Sequence, residues 1–295
     1  MKLWRTMLFT PGNNMRMIYK AGSLGADAVI LDLEDAVPMA EKETARIFVR
    51  DSVERVGAEG AEVFVRVNAL TTGLTAEDLK WVVQPGLMGV VLPKTESRKD
   101  ILEVEKLIEE LERERGMEPG SLVLTPLLET ARGILNAQEI ATASELIAAL
   151  SFGALDFTRD MGTSISPEGA ELFYARSHIA LVAKAAGVQA IDTPWIDIAN
   201  QEGLVQDARR ARQLGFRGKM LIHPSQIEPV NQVFSPSEHE VAYARRVVEA
   251  FRQAEAQGLG AISLDGRMID IANVRQAEEL IAWAQAIAQK KSRKE

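Results

Sequence analysis

The sequence has no cysteine and only three histidines, which excludes several kinds of site. Without cysteine there is no disulfide, no thiolate metal centre and no cysteine nucleophile. The histidines, His178, His223 and His239, are spread along the second half of the chain, which argues against a histidine-based metal centre. Oxygen ligands remain for any metal ion.

Positive charge and long apolar runs are also scarce. The chain has 34 basic and 42 acidic residues, a formal charge of −8, so no general attraction to nucleic acid or to anionic lipid is expected. The apolar stretch near the N-terminus is interrupted at Pro11-Gly12, too early for a signal peptide. We therefore expect a cytoplasmic protein with neither nucleic acid nor membrane as a partner.

The 295 residues contain eight short apolar runs that alternate with amphipathic segments. Continuous apolar runs of this length are typical of parallel strands buried on both faces. Helical spacing of apolar residues predicts helices between several of them. The predicted strands are 7–11, 28–35, 62–68, 88–94, 121–129, 147–156, 188–192 and 218–224, and the clearest predicted helices are 40–56, 98–115, 167–186 and 202–214.

This alternation predicts an α/β fold, a (β/α)8 TIM barrel at residues 1–233. A doubly wound open sheet is the alternative, but the segment after the first strand, Pro11-Gly12-Asn13-Asn14, lacks a glycine-rich phosphate-binding pattern. Residues 234–295 form a C-terminal extension in this interpretation. It would consist of a helix at 236–257, a small hairpin or lid at 261–270, a final helix from Asp270 and a solvated charged end at 290–295.

Polar residues follow most of the predicted strands. Since the catalytic groups of a barrel collect at the carboxyl ends of its strands, several of these side chains are expected to meet at one mouth. In chain order they are Asp32, Glu34, Asp35, Arg66, Asn68, Lys94, Glu129, Asp156, Asp192 and His223.

Glu129 and Asp156 end neighbouring predicted strands. Two carboxylates that converge in the presence of water suit Mg²⁺, which prefers oxygen ligands and keeps several waters. Each carboxylate would equally suit the cap of a following helix. The sequence leaves both interpretations open.

Arg66 lies within an apolar strand, where an unpaired guanidinium would be costly. It either forms a structural ion pair with Asp32, Glu34 or Asp35, or binds a substrate carboxylate while these residues hold it in place. The two roles are compatible.

Lys94 and His223 also follow predicted strands, with weaker signals. Lys94 would bind a phosphate or a substrate, or simply be solvated, and His223 would complete a local hydrogen-bond network. Arg16 and Lys20 lie four residues apart on a probable helix, where they would bind phosphates or serve only solubility.

Seven motifs in order resemble the citrate lyase β-subunit-like branch of the HpcH/HpaI aldolase superfamily. They cover nearly the whole chain, and GRMIDIANVRQA near the C-terminus is similar to the lid of its acyl-CoA lyases, such as the citramalyl-CoA and malyl-CoA lyases. The seven are LFTPGNN, AVILDLEDAV, VFVRVN, LPKTES, LLETARGILN, FGALDF and LIHPSQI.

The resemblance implies a Mg²⁺-dependent lyase that makes or cleaves the bond between acetyl-CoA and a 2-keto acid such as pyruvate, glyoxylate or oxaloacetate. Glu129 and Asp156 would bind Mg²⁺, and Arg66 would bind the keto-acid carboxylate. Asp270 would be the acid/base, supplied by a neighbouring subunit's lid in a homotrimer. Without the resemblance, Asp270 suits the N-cap of the last helix.

One segment departs from the family pattern. Many relatives carry Gly-Gly-Glu-Asp where this chain has Gly153-Ala154-Leu155-Asp156, so Leu155 replaces a polar neighbour of the metal ligand. The metal ligand is retained, substrate choice is left open, and the backbone amides of these four residues would contact substrate. The alternatives are a citrate lyase β-subunit acting on a citryl carrier-protein thioester, a malyl-CoA thioesterase, and a non-catalytic ligand-binding barrel.

Overall fold

Eight parallel strands close into a barrel in which β8 pairs with β1. The structure is a computed structural model that describes residues 2–292 and the side chains of residues 2–290. The predicted (β/α)8 barrel with a C-terminal helical extension is confirmed. The strands are β1 Thr6–Pro11, β2 Ala28–Asp32, β3 Glu62–Arg66, β4 Gly89–Leu92, β5 Val123–Leu128, β6 Ala149–Phe152, β7 Gln189–Asp192 and β8 Gly218–Leu221.

Helices follow the strands along the chain. Five short 3-10 segments, at Gly22–Leu24, Met39–Glu41, Leu70–Thr72, Ala170–Leu172 and Pro224–Gln226, complete the connections. The α-helices are α1 Met15–Ala21, α2 Lys42–Ala58, α3 Thr75–Val82, α4 Arg98–Glu114, α5 Ala131–Leu135, α6 Ala137–Ala141, α7 Ala154–Asp160, α8 Phe173–Ala186, α9 Gln201–Leu214, α10 Ile227–Val233, α11 Glu238–Glu255 and α12 Ile271–Ser292.

Helix α4 illustrates how local sequence sets these boundaries. Ser97 and Asp100 form a capping box, in which each side chain accepts a hydrogen bond from the other residue's backbone amide. The buried residues of the helix recur at helical spacing, with Ile101, Val104 and Ile108 among them. The helix therefore begins at its cap and packs its apolar face inward.

The barrel interior is filled by side chains from alternate strand positions. Ile30 of β2, Phe64 of β3 and Leu127 of β5 belong to one buried cluster. Since successive side chains of a strand point to opposite faces, the residues two positions later share this inward direction. Those residues are Asp32, Arg66 and Glu129. The strand period thus carries three charged side chains to the carboxyl end of the barrel interior.

Several predicted boundaries differ from the structure, and two of them differ most. The helix predicted from residue 167 begins only at Phe173, because Gly169 adopts a left-handed conformation with φ 65° and Glu171 accepts hydrogen bonds from the amide and the hydroxyl of Ser166. The strand predicted to reach Asp156 ends at Phe152. Gly153 is the N-cap of α7, so Asp156 lies in the first turn of that helix rather than at a strand end.

Asp192 ends β7 but takes part in a buried ion network outside the barrel interior. It contacts Arg176 of α8 at 2.9 Å and Lys219 of β8 at 2.6 Å, and Asp207 of α9 contacts both cations. The pKa of Asp207 falls to about 2, because Lys219 and Arg176 outweigh the effect of burial. Opposite charges compensate one another here, and the network joins helices α8 and α9 to the sheet.

The chain divides into two compact units, Trp4–Asn231 and a second unit of residues 2–3 with 232–292. In the second unit, α11 and α12 pack through Val247, Phe251 and Val274, together with Ile269 of a hairpin. The hairpin strands β9 Ile262–Leu264 and β10 Arg267–Ile269 are antiparallel. A hairpin is thus present where one was predicted.

The hairpin turn is Asp265-Gly266, and both residues have positive φ, as a two-residue type I′ turn requires. The predicted solvated end at 290–295 falls partly outside the described residues, which stop at 292. None of the described helices is both long and apolar enough to span a bilayer.

Candidate functional site

Arg66 is the central cation at the carboxyl end of the barrel. It pairs with Asp32, its register partner on the neighbouring strand, through Nε–Oδ1 and Nη2–Oδ2 distances of 2.7 and 2.6 Å. Its Nη1 lies 3.0 Å from Oε2 of Glu34, and its guanidinium carbon lies 4.7 Å from the ring centroid of Phe9. A buried guanidinium is therefore fixed by a forked ion pair and an aromatic face.

The loop after β2 is itself held by hydrogen bonds. Asp32 also accepts from the amides of Glu34 and Ala36, at 2.9 and 3.2 Å. The buried ammonium of Lys42 donates to the carbonyls of Leu33 and Glu34, at 2.6 and 2.7 Å. Burial lowers the pKa of Lys42, and nearby carboxylates, Asp32 first, oppose this. The acidic loop is consequently anchored from both sides.

Lys94 connects this loop to the end of β5. Its ammonium contacts Oε1 of Glu34 and lies 3.8 Å from Oδ2 of Asp35. Its backbone amide donates to Oε1 of Glu129 at 2.9 Å. Of the three acidic residues considered as partners of Arg66, Asp32 and Glu34 pair with it, whereas exposed Asp35 faces Lys94.

Glu129 follows β5 directly, and only 2% of it is exposed. It packs against Gly153, where an added Cβ would lie 2.7 Å from the Cβ of Glu129. Burial, followed by the charges of Glu34 and Asp156, raises the pKa of Glu129 to about 8, against the opposing effect of Arg66. Burial and two neighbouring carboxylates thus disfavour the charged form of Glu129.

Asp156 approaches from the first turn of α7. Its Oδ1 lies 2.6 Å from Nη2 of Arg159, whose side chain is 74% exposed and thus able to move away into solvent. The backbone amide of Ala154 donates to the Thr193 hydroxyl at 2.9 Å, and that of Gly153 donates to the Leu128 carbonyl at 3.0 Å. The mouth thus presents two carboxylates, Glu129 and Asp156, beside a fixed guanidinium.

The sequence matches one family model, HpcH/HpaI aldolase/citrate lyase, over residues 5–224. The chain belongs to this family. The predicted resemblance is confirmed.

Several relatives match this chain over most of its length. The citrate lyase subunit beta of Leuconostoc mesenteroides subsp. cremoris is 41% identical over 97% of this chain and 94% of that protein. The human mitochondrial citramalyl-CoA lyase is 34% identical over 97% of this chain and 87% of that protein. Protein CitE of Mycobacterium tuberculosis, crystallised with magnesium, acetoacetate and coenzyme A, is 34% identical, covers 96% of this chain and 98% of its own, and has a TM-score of 0.78.

A second crystal structure from Mycobacterium tuberculosis is of the citrate lyase beta subunit complexed with oxaloacetate and magnesium. It is also 34% identical, has a TM-score of 0.67 and covers 79% of this chain. HpcH/HpaI family proteins have thus been crystallised with magnesium and with small oxo acids.

The remaining predicted residues of this HpcH/HpaI family chain lie apart from the carboxylate pair or in local networks. His223 is exposed, and its Nδ1 bonds to the hydroxyl and the amide of Ser225 at 2.8 and 3.2 Å. Arg16 and Lys20 are both exposed on α1. Asn68 bonds to Asp78 and to the carbonyl of Leu33. Asp192 is occupied by its own ion network.

Asp270 belongs to the second unit and lies just before α12. Its Oδ1 accepts hydrogen bonds from the amides of Ala272 and Asn273, at 2.9 and 3.2 Å. In return, the backbone amide of Asp270 donates a hydrogen bond to Oδ1 of Asn273, at 3.0 Å. Asp270 therefore caps the helix in this subunit, one of the two roles that its sequence position suggests.

Sequence reasoning missed Lys42 and Arg159. Each is a basic residue within an ordinary amphipathic helical segment, where lysine and arginine are common on solvated faces. The role of Lys42 can be recognised only from the structure, in which the carbonyls of residues 33 and 34 face its ammonium. Arg159 follows Asp156 by three residues, a spacing that would have indicated the contact once a helix had been predicted there.

The raised pKa of Glu129 predicts a pH-dependent stability in the absence of divalent cations. A carboxyl with a folded pKa of about 8 and an ordinary value of 4.5 contributes stability at low pH that is lost as the pH rises through 8. Relative to Glu129→Gln, which does not titrate, the natural protein should lose stability from about pH 5 to about pH 8 and then level off. Urea unfolding in EDTA measures this difference, and a constant difference across the range would contradict the prediction.

Proposed function

We propose that this protein is a Mg²⁺-dependent carbon–carbon lyase that makes or cleaves the bond between acetyl-CoA and a 2-keto acid, of the citramalyl-CoA or malyl-CoA type. The supporting observation is the position of Glu129, a buried carboxylate with a raised pKa, between Asp156 and Arg66 at the barrel mouth. Family membership supports the same reaction class, since its relatives include citrate lyase and citramalyl-CoA lyase.

Glu129 and Asp156 fit a magnesium ion. Both offer hard oxygen donors. Burial, followed by the charges of Glu34 and Asp156, raises the Glu129 pKa, and a divalent cation would offset these effects. Within residues 2–292, no group of three or more His, Asp or Glu side chains is arranged to hold a metal. The protein would thus supply two ligands and leave positions for water and substrate oxygens, a pattern common for Mg²⁺. When bound, Mg²⁺ supplies Lewis acidity that polarises the keto-acid carbonyl.

Arg66 retains donors for a substrate carboxylate. A guanidinium has five N–H groups. Nε and Nη2 of Arg66 each donate one hydrogen bond to Asp32, and Nη1 lies 3.0 Å from Oε2 of Glu34. N–H groups on Nη1 and Nη2 therefore remain for hydrogen bonds to a carboxylate. Arg66 would therefore orient the keto acid without giving up its ion pairs.

Asp270 would act as the acid/base on the thioester partner. In the synthetic direction its carboxylate would take a proton from the methyl carbon of acetyl-CoA, the resulting enolate would attack the keto-acid carbonyl carbon, and the alkoxide so formed would take a proton from solvent. In cleavage the hydroxyl would lose its proton to solvent, the carbon–carbon bond would break, and the protonated Asp270 would return its proton to the enolate carbon. The residue would be delivered by the hairpin of a neighbouring subunit in a homotrimer, so that thioester binding completes the site and excludes water.

Binding of the CoA portion has two candidates. Exposed Arg16 and Lys20 would face its phosphates from α1.

The start of α7 has two backbone amides that could contact the substrate. The amides of Gly153 and Ala154 already donate hydrogen bonds within the protein, so the amides of Leu155 and Asp156 are the candidates. Leu155 is 64% exposed there and would present an apolar surface to the substrate.

A citrate lyase β-subunit acting on a citryl carrier-protein thioester is the second candidate. One observation favours it: the Leuconostoc citrate lyase subunit is 41% identical to this chain, against 34% for the human citramalyl-CoA lyase over the same share of the chain. The two candidates share the chemistry of the barrel mouth and differ in the thioester carrier.

A cleavage assay separates these functions. We expect citramalyl-CoA or malyl-CoA to yield acetyl-CoA and a 2-keto acid, with loss of at least about a hundredfold in rate when EDTA removes Mg²⁺. Cleavage of the citryl carrier-protein thioester alone would instead support the second candidate. Release of free CoA with an intact hydroxy acid would indicate a thioesterase. No turnover of any of them would overturn the proposal.

Asp270→Asn tests the assigned proton transfer. Asparagine also caps helices, so the fold should be kept, while the rate of cleavage should fall by about 10² to 10⁴. Binding of the keto acid should be unchanged, because Asp270 is not assigned to it. Asp265→Asn, in the turn of the same hairpin, is the matched control and should leave the rate within about twofold. Near-normal turnover in the Asp270 variant would remove its assigned role.

A further inference from the structure

Lys94 has an unusual backbone conformation. Among the described residues, Lys94 and Asp265 are the two residues other than glycine with positive φ, both at 51°. Asp265 sits in a hairpin turn that requires this conformation, and aspartate tolerates it comparatively well. A lysine in the left-handed region incurs a conformational cost that glycine avoids. Interactions of this turn must offset that cost.

The left-handed turn directs two successive amides at β5 and the residue that follows it. The amide of Lys94 donates to Oε1 of Glu129 at 2.9 Å, and the amide of Thr95 donates to the carbonyl of Leu127 at 3.3 Å. The Thr95 hydroxyl bonds back to the carbonyl of Leu92 at 2.9 Å. The orientation of the Glu129 carboxylate therefore depends on the backbone conformation of residue 94.

The side chain of Lys94 is bound to the opposite side of the site. Its ammonium contacts Oε1 of Glu34, whose other oxygen lies 3.0 Å from Arg66. Glu34 is buried, and the Lys42 ammonium holds its backbone carbonyl at 2.7 Å. Glu34 is thus a fixed anchor, and a lysine tied to it cannot easily rotate its backbone away.

We propose that Lys94 is a positioning residue: its ion pair with Glu34 holds the turn in the left-handed conformation, which aims the backbone amide at Glu129. This inference rests on the proposed function, since it takes Glu129 as a magnesium ligand. It differs from a role in which the ammonium touches an anionic ligand directly. In the positioning role, the ammonium acts through the backbone.

Two substitutions separate these roles. Lys94→Ala and Lys94→Gly remove the same ammonium and leave Glu34 with Arg66 and without its lysine partner in both cases, but only glycine adopts the left-handed conformation without cost. Any difference between the two variants therefore reports the backbone. Asp265→Ala and Asp265→Gly form the matched control pair, because Asp265 has the same φ and an ion pair with Arg246 at 2.9 Å.

The measurement is the Mg²⁺ dissociation constant of each full-length variant by isothermal titration calorimetry without substrate, with melting temperature as a second readout. We expect Lys94→Ala to bind Mg²⁺ about tenfold more weakly than Lys94→Gly, the factor that one charge-assisted hydrogen bond can supply. Lys94→Gly should stay within about threefold of the natural protein, and the two Asp265 variants should bind Mg²⁺ equally.

Each outcome bears on a different claim. Equal Mg²⁺ affinities of the alanine and glycine variants, with normal binding by the natural protein, would overturn the positioning role and leave the proposed function intact. A difference of the same size within the Asp265 pair would also overturn it, because the effect would then be a general one of folding. No Mg²⁺ binding by the natural protein would overturn the proposed function and this inference together.

Discussion

The forked ion pair between Arg66 and Asp32 is the interaction on which the site depends. It joins register partners of adjacent strands inside the barrel, where an unpaired charge of either sign would be costly. Once Arg66 is fixed, Glu34 is held by it from one side and by Lys94 from the other. Lys94 in turn reaches Glu129. A chain of ion pairs therefore runs from Asp32 to Lys94, and the Lys94 backbone amide connects it to Glu129 after β5.

The charges at the Glu129 end of this chain are not balanced. Glu129 has a backbone amide on one oxygen and Gly153 beside it, while Glu34 and Asp156 both raise its pKa. Elsewhere the protein compensates its buried charges, as in the network of Arg176, Lys219, Asp192 and Asp207. The contrast supports the proposal that the mouth binds a cation from solution. The same contrast distinguishes the buried ion network, which has a structural role, from the carboxylates at the mouth, which are candidates for chemistry.

Much of the barrel was predictable from the sequence because parallel strands buried on both faces leave continuous apolar runs. Asp32, Arg66 and Glu129 were expected at one mouth because polar residues follow the predicted strands, and in the structure each of them lies two positions after a core residue. Asp156 was misplaced because the glycine before α7 ends the strand early, which apolar pattern alone does not reveal. Lys42 was missed because its partners are backbone carbonyls, which have no sequence signature. The role proposed for Lys94 depends on a φ angle, which cannot be inferred from a single sequence.

The central claim is that a divalent cation and Arg66 together form the keto-acid site. Calorimetric titration of the protein with pyruvate, glyoxylate and oxaloacetate, in Mg²⁺ and in EDTA, tests it most directly. The account predicts binding of at least one of them in Mg²⁺ and none in EDTA, with loss of binding in Glu129→Gln and normal binding in Glu103→Gln, an exposed position on α4. Equal binding with and without Mg²⁺, or no binding of any of the three, would contradict it and favour a non-catalytic barrel.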